Sequence, residues 1–167
     1  MEILTRDYGK IVVDEASVIR FDEGILGFEE YRNFVLLDDS SGESPFRCMQ
    51  SMEESGLAFI LLDPFIVKPE YEITLGDDII EALGIKAVDE VVILAIVVVP
   101  EKIEHMSFNL KAPIVINTKL RKGMQYVVEN DKYKVRHYIM GEINSQKAAA
   151  QQSQNQNQPP AGTASSA

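Results

Sequence analysis

Through Ile143 the apolar residues come in short runs, rich in Val, Ile, Phe and Tyr and separated by Gly, Asp, Ser and Asn. Such runs suit a pleated, half-buried surface better than a helix face. They predict strands near Glu2–Thr5, Lys10–Val13, Ser17–Phe21, Asn33–Leu37, Phe46–Ser51, Leu57–Leu62, Tyr71–Thr74, Val91–Val98, Ile114–Lys119 and Met124–Glu129. Tyr8–Gly9, Asp38–Ser44, Ser55–Gly56 and Lys122–Gly123 supply the turns. The hairpin-like spacing favours antiparallel pairing. The expected fold is therefore all-β, mainly antiparallel: a compact β-barrel or sandwich-like single domain over residues 1–143 with one or two short helices.

One helix is predicted where Asp78 and Glu81 are spaced like a capping box, Ile79, Ile80 and Leu83 share a face, and Gly84 can end it in a left-handed conformation. A second helical turn is expected at Glu29–Tyr31. Pro64 and Pro69 break the segment between them too much for a central strand. From Asn144 the chain is Gln, Asn, Ser, Ala and Pro, with Lys147 as its one charge and no large apolar residue. Burial there cannot offset ordering entropy, so residues 144–167 are expected to be a disordered tail, a solvated extension rather than a docking element.

Charge narrows the partners. The chain has 26 acidic against 16 basic residues and a net charge of −10. A surface that repels phosphate speaks against direct nucleic-acid binding, and a basic protein partner suits it better. A single cysteine, Cys48, excludes an internal disulfide and fits a reducing compartment. The start of the chain, with Glu2, Arg6 and Asp7 among short apolar pieces, has no leader pattern. The run Val91–Val99 is far short of the roughly 20 residues a membrane helix needs. The expected location is cytoplasmic, with no membrane contact.

Catalysis needs a nucleophile, a tuned base and a charge stabiliser in one place, and no motif supplies them. His105 and His137 are the only histidines and lack metal-ligand spacing, so no metal or cofactor is expected. His105 reads as exposed, His137 as either a surface contact or a hydrogen-bonded closing residue. Cys48 reads as a small buried hydrophobe. The acid pairs Glu29–Glu30, Asp38–Asp39, Glu53–Glu54 and Asp77–Asp78 fall at turns, where they are solvated charge. The Asp38–Glu43 stretch lacks the register of a calcium loop, and Gly24-Ile25-Leu26-Gly27 lacks that of a phosphate cradle; its glycines are expected to permit a tight positive-φ turn.

Several segments together resemble the FliW family. Phe21-Asp22-Glu23-Gly24-Ile25-Leu26-Gly27-Phe28 is similar to its F-x-x-G-I-x-G-F signature, Pro45-Phe46 with Gln50-Ser51 to its PF…QS strand, and Asp63-Pro64-Phe65 to its S-P-F element. Tyr71-Glu72, Leu83-Gly84-Ile85, the run from Asn109 through Pro113 to Asn117, and Arg136-His137 follow in the same order. Leu26 stands where a proline is common in the family, and Asp63 where a Ser is common. The resemblance implies a non-enzymatic flagellar assembly factor that binds flagellin and, when released, binds and antagonises the translational regulator CsrA. Within that frame Gly24, Gly27, Phe28, Asn109, Pro113 and Asn117 are expected to be architectural, with Pro113 at a strand start and Ile114 and Ile116 on one buried face.

If flagellin offers an apolar helical end, an apolar groove rimmed by acids would hold it. Phe65, Ile66 and Tyr71 are the candidate walls, and core positions are the other reading of them. Glu70, Glu72, Asp77 and Asp78 are the candidate acids that attract CsrA. A monomer is expected, since the net charge opposes self-association. The competing functions are a small carboxylate-based enzyme and a purely structural subunit.

Overall fold

The computed structural model describes residues 1–38 and 41–157. Strands β1 (Glu2–Leu4) and β2 (Lys10–Val12) form a separate antiparallel hairpin. Arg6 ties it to the main sheet, its N–H donating to Gln50 Oε1 at 2.9 Å and its Nη1 to the Ala58 carbonyl at 2.8 Å. The main sheet contains β3 (Ile19–Arg20), β4 (Asn33–Leu37), β5 (Phe46–Ser51), β6 (Ala58–Leu62), β7 (Val91–Val98), β8 (Ser107–Phe108), β9 (Ile114–Asn117), β10 (Lys122–Gln125) and β11 (His137–Tyr138). From β3 to β7 each strand pairs antiparallel with the next. β7 then takes β9, β9 takes β10, and β10 returns to β3 through the parallel pair Lys122–Arg20.

Those pairings close a seven-stranded barrel, which removes the sheet edges that a flat arrangement would expose. The barrel interior is filled by Ile19, Phe21, Phe34, Met49, Leu61, Ile114 and Ile116, with Phe21 edge-to-face on Phe34 at 5.3 Å. Side chains alternate across a strand, so Val115 points the other way, against Ile79 and Leu83. β9 is thus covered on both faces, which is why its sequence is a continuous apolar run. A third cluster, around Tyr71, Phe108, Leu110, Tyr133 and Ile139, packs outside the barrel.

The strands at 33–37, 46–51 and 91–98 have the expected limits. Other elements differ. Residues 71–74 are not a strand but a hydrogen-bonded connection, and β10 begins earlier than the apolar run suggests. β8 and β11 are two-residue strands, too short for periodicity to reveal. Residues 29–31 form a turn rather than a helical turn, with the Tyr31 N–H on the Phe28 carbonyl at 3.1 Å.

Helix α1 (Pro64–Val67) starts at Asp63, whose Oδ1 accepts the Phe65 N–H at 2.9 Å, the role a serine would fill. Helix α2 (Asp77–Ala82) starts one residue before the expected box: Gly76 is its cap, no side chain closes it, and the Asp78–Glu81 pairing does not form. It does end at Gly84, with φ +62°, and the Ile85 N–H reaches back to the Ile80 carbonyl at 2.9 Å.

Helix α3 (Ile139–Asn157) runs past Ile143 into the segment expected from sequence to be a disordered tail. Ile139 and Ile143 pack on the outer cluster and start the helix, and Gln146, Lys147 and Ala148–Ala150 are good helix formers that extend it; Gln146 is half-buried, its Nε2 sealed and without a hydrogen-bond partner among the described residues, and the others are exposed. Residues 158–167 of the expected tail lie outside the described residues, as does Asp39 of the Asp38–Asp39 pair.

Candidate partner-binding site

The chain leaves the barrel after β6 and returns at β7, and this excursion over residues 63–90 carries α1 and α2. Between it and the start of β7 runs a groove of about 700 Å³, walled by Phe65, Ile73, Leu75, Ile80, Ile85, Val88, Val91 and Ile93, with Lys86 on its lining. Its apolar lining is open to solvent: Phe65 is 38% exposed and Val88 is 90% exposed. Covering this apolar lining would favour a partner's binding by removing it from water.

Of the three predicted walls, only Phe65 lines the groove. Ile66 is 59% exposed but points elsewhere. Tyr71 is a core residue, 2% exposed: its hydroxyl donates to the Leu110 carbonyl at 2.8 Å and its ring stacks edge-to-face on Tyr133 at 4.6 Å. Burial, followed by the neighbouring Tyr133, pushes its phenol well above the ordinary range. An extended segment interrupted by prolines turned Tyr71 inward, where its hydroxyl could satisfy a buried carbonyl. The groove residues missed in the sequence are mainly Leu75, Ile80, Ile85, Val88 and Ile93. Val88, set between Lys86-Ala87 and Asp89-Glu90 in a short connector, is the one of these with a local signal.

The acids divide. Glu72 and Asp78 line a second cleft of about 470 Å³ together with Glu129 and Tyr126, and Thr74 lines both cleft and groove. Asp77 is exposed on the first turn of α2 and lines neither. Glu70 is drawn away by Lys68 at 3.1 Å. Lys68 also meets Glu142 of α3 at 2.8 Å, and Glu142 accepts from His137 Nδ1 at 3.1 Å. His137 Nε2 accepts the Lys134 N–H at 2.8 Å, which places the ring proton on Nδ1. His137 is therefore the hydrogen-bonded closing residue. Burial pushes the Glu142 carboxyl up, but hydrogen bonds from Lys68 and His137 and the Lys68 charge prevail and hold it below the ordinary value. For Lys68, burial works downward and its two carboxylate partners raise it above the ordinary value.

Cys48 is a free, buried thiol, raised by burial first and by Asp7 second. The remaining acid pairs work locally: Glu53 accepts backbone N–H groups of Arg32 and Asn33, and Asp38 pairs with Arg47 at 2.6 Å. Among the described residues no three His, Cys, Asp or Glu side chains gather as metal ligands would, and no helix is long and apolar enough to cross a membrane.

The motif residues sit at junctions. Gly24 has φ +67°, and a Cβ there would stand 2.6 Å from the Glu29 backbone, so no side chain fits. Gly27 has φ +88°, and Phe28 packs edge-to-face on Phe59 at 5.4 Å. Asn109 Oδ1 accepts the N–H groups of Lys111 and Ala112 at 3.0 and 2.9 Å, bending the chain between β8 and β9. Pro113 precedes β9 and its carbonyl accepts from Tyr126 at 2.9 Å. Asn117 is fully buried; its Nδ2 donates to the Leu83 carbonyl at 2.8 Å and its Oδ1 accepts from Lys119 and Leu120.

The FliW protein family model matches residues 2–139, the whole barrel with its excursion and outer cluster. The chain belongs to the FliW family. It is 41% identical over 145 residues to the flagellar assembly factor FliW of Caldanaerobacter subterraneus, covering 87% of this chain and 97% of that one. The FliW of Ruminiclostridium cellulolyticum is 40% identical over 146 residues, covering 87% and 99%. A crystal structure of the flagellar assembly factor FliW superimposes with a TM-score of 0.78 at 38% identity, covering 83% of this chain and 96% of its own. The family is thus one of flagellar assembly factors, and this chain shares its fold.

Proposed function

We propose that this FliW-family protein is a cytoplasmic, monomeric partner-switching factor that binds flagellin and, once released, binds and antagonises CsrA. It does so without catalysis, cofactor or direct contact with nucleic acid. The observation that carries this reading is the open apolar groove lying against the Glu72–Asp78–Glu129 cleft. The groove suits an amphipathic segment such as a flagellin helix end. A regulator that holds RNA phosphates must be basic, and a protein of net charge −10 attracts it while disfavouring RNA at the same surface. In this reading Gly24, Gly27, Phe28, Asn109, Pro113 and Asn117 hold the barrel junctions and touch neither partner.

The test is binding kinetics of the immobilised protein with each partner at two ionic strengths, for the parent and for the double variant Glu72→Lys, Asp78→Lys. CsrA association is expected to slow by about tenfold or more on charge reversal and to fall with salt, while flagellin binding changes less. CsrA association that ignores both salt and the reversals removes the electrostatic part of this reading.

A further inference from the structure

At the far end of β7 from the groove, the register of three strands builds a different site. Val98, Ser107 and Tyr138 are direct cross-strand partners, so all three point to one face while Val97, Phe108 and His137 point to the other, toward the core. Arg136, two residues before Tyr138, is on the outer face as well. The turn Ile103–His105 closes over it, and a cleft of about 490 Å³ results, lined by Val98, Pro100, Glu104, His105, Ser107, Arg136 and Tyr138.

Two polar groups of this cleft are open to a ligand. Ser107 is 3% exposed and lines the cleft, yet among the described residues its hydroxyl has no hydrogen-bond partner. The one sealed side-chain polar atom without a partner among the described residues is Gln146 Nε2, so the Ser107 hydroxyl is not sealed but opens into the cleft, where a ligand oxygen can reach it. Arg136 likewise makes no ion pair or hydrogen bond among the described residues, in a protein with ten more acidic than basic residues. The His105 ring, 6.5 Å from that of Tyr138, offers a further polar edge.

We propose that this cleft binds a carboxylate carried on an apolar group. The planar guanidinium of Arg136 matches a carboxylate with two parallel N–H bonds, and the Ser107 hydroxyl donates a third. Val98 and Pro100 form the apolar wall against which the rest of the ligand lies. Glu104 adds a negative charge to the lining, so the site suits a monoanion and repels a dianionic phosphate. A carboxylate of this kind is found at the end of a polypeptide or on a free small acid, and an N–H beside it, as in a peptide, gains a bond to Glu104. The site stands apart from the groove, and its failure leaves the partner-switching reading untouched.

The experiment is an NMR titration of the full chain, reading the Ser107 and Tyr138 amide resonances. N-acetylleucine and isovalerate are expected to shift them saturably, whereas N-acetylleucinamide and inorganic phosphate leave them in place. Tighter binding of N-acetylleucine than of isovalerate identifies a polypeptide end; equal binding identifies a free acid. Arg136→Gln is expected to weaken N-acetylleucine by about tenfold or more, the loss of a charge-assisted pair, with the thermal midpoint unchanged. Shifts by the amide equal to those by the acid, phosphate binding as tight, no saturable shift by either acid, or an Arg136→Gln variant that binds like the parent would each overturn the proposal.

Discussion

The barrel wall and the excursion over residues 63–90 meet at β6 and β7 and treat their apolar side chains in opposite ways. In the wall, Phe34, Met49, Leu61, Ile114 and Ile116 are sealed from solvent, because ring closure pairs every strand and leaves no edge to dress. The excursion has no strand to pair. It is held by a few buried anchors, Val67, Tyr71, Ile79 and Leu83, and by polar ties to the wall and the outer cluster. Those ties are the Tyr71 hydroxyl on Leu110, the Tyr133 hydroxyl accepting from Glu72, and the Asn117 amide on Leu83. Other apolar residues of the excursion, Phe65 and Val88 among them, keep part or most of their surface in solvent. In this chain the barrel is thus sealed while the excursion keeps an apolar groove open to solvent.

That contrast can be broken first in the wall. Ile116→Ala removes side-chain volume from the barrel interior, and a loss of about 2–5 kcal/mol in urea unfolding is expected, with partner affinity of the folded fraction kept. An unchanged midpoint accompanied by a lost partner would move β9 from architecture to interface. The joint between the two regions comes next. Asn117→Ala leaves the Leu83 carbonyl and the Lys119 and Leu120 N–H groups without their partner, and about 1–3 kcal/mol should be lost. Hydrogen exchange is expected to rise in α2 more than in the barrel strands; uniform acceleration would show that excursion and wall open together.

The clamp between α1 and α3 gives a smaller, pH-dependent effect. The Glu142 carboxyl is depressed in the folded protein, so its contribution is complete above the unfolded carboxylate value and disappears as pH falls through the lower folded value. Glu142→Gln should lower the unfolding free energy at pH 7 by up to about 1 kcal/mol, read by thermal or urea unfolding, and the gap from the parent should close in acid. A gap that persists well below pH 4.5, the ordinary carboxyl value, would show that shape rather than charge is at work. The smallest stability change belongs to the groove itself. Val88→Asp should leave stability within about 0.5 kcal/mol, since the side chain is nearly free in solution. Flagellin affinity should nevertheless fall by about tenfold. Unimpaired flagellin binding would exclude Val88 from the interface.

The run pattern found the long strands because β4, β5 and β7 are stretches rich in apolar or β-branched residues bounded by turn residues, and their burial follows no strict alternation. It failed for β8 and β11, whose two residues cannot show a repeat and whose pairing depends on chain brought in from elsewhere. Tyr71 looked the same as Phe65 in sequence, an aromatic in a proline-interrupted segment. One turned to the core because the Leu110 carbonyl waits there, and the other stayed on the groove. Glu70 and Glu72 likewise read as equivalent acids until Lys68 claimed the first.

What the sequence alone determined is the set of residues that must leave water, the acidic character of the surface, and the local devices: the glycine turn at Gly24, the stop at Gly84 and the ordered motifs of the FliW family. These rest on forces that act between near neighbours or on composition. Tertiary structure alone decided that seven strands close into a ring, that α2 covers Val115, that Lys68, Glu142 and His137 meet, and that Ser107 and Arg136 share a cleft. Each of those outcomes joins residues distant in the chain, and their geometry is set by strand register, which local preference does not encode.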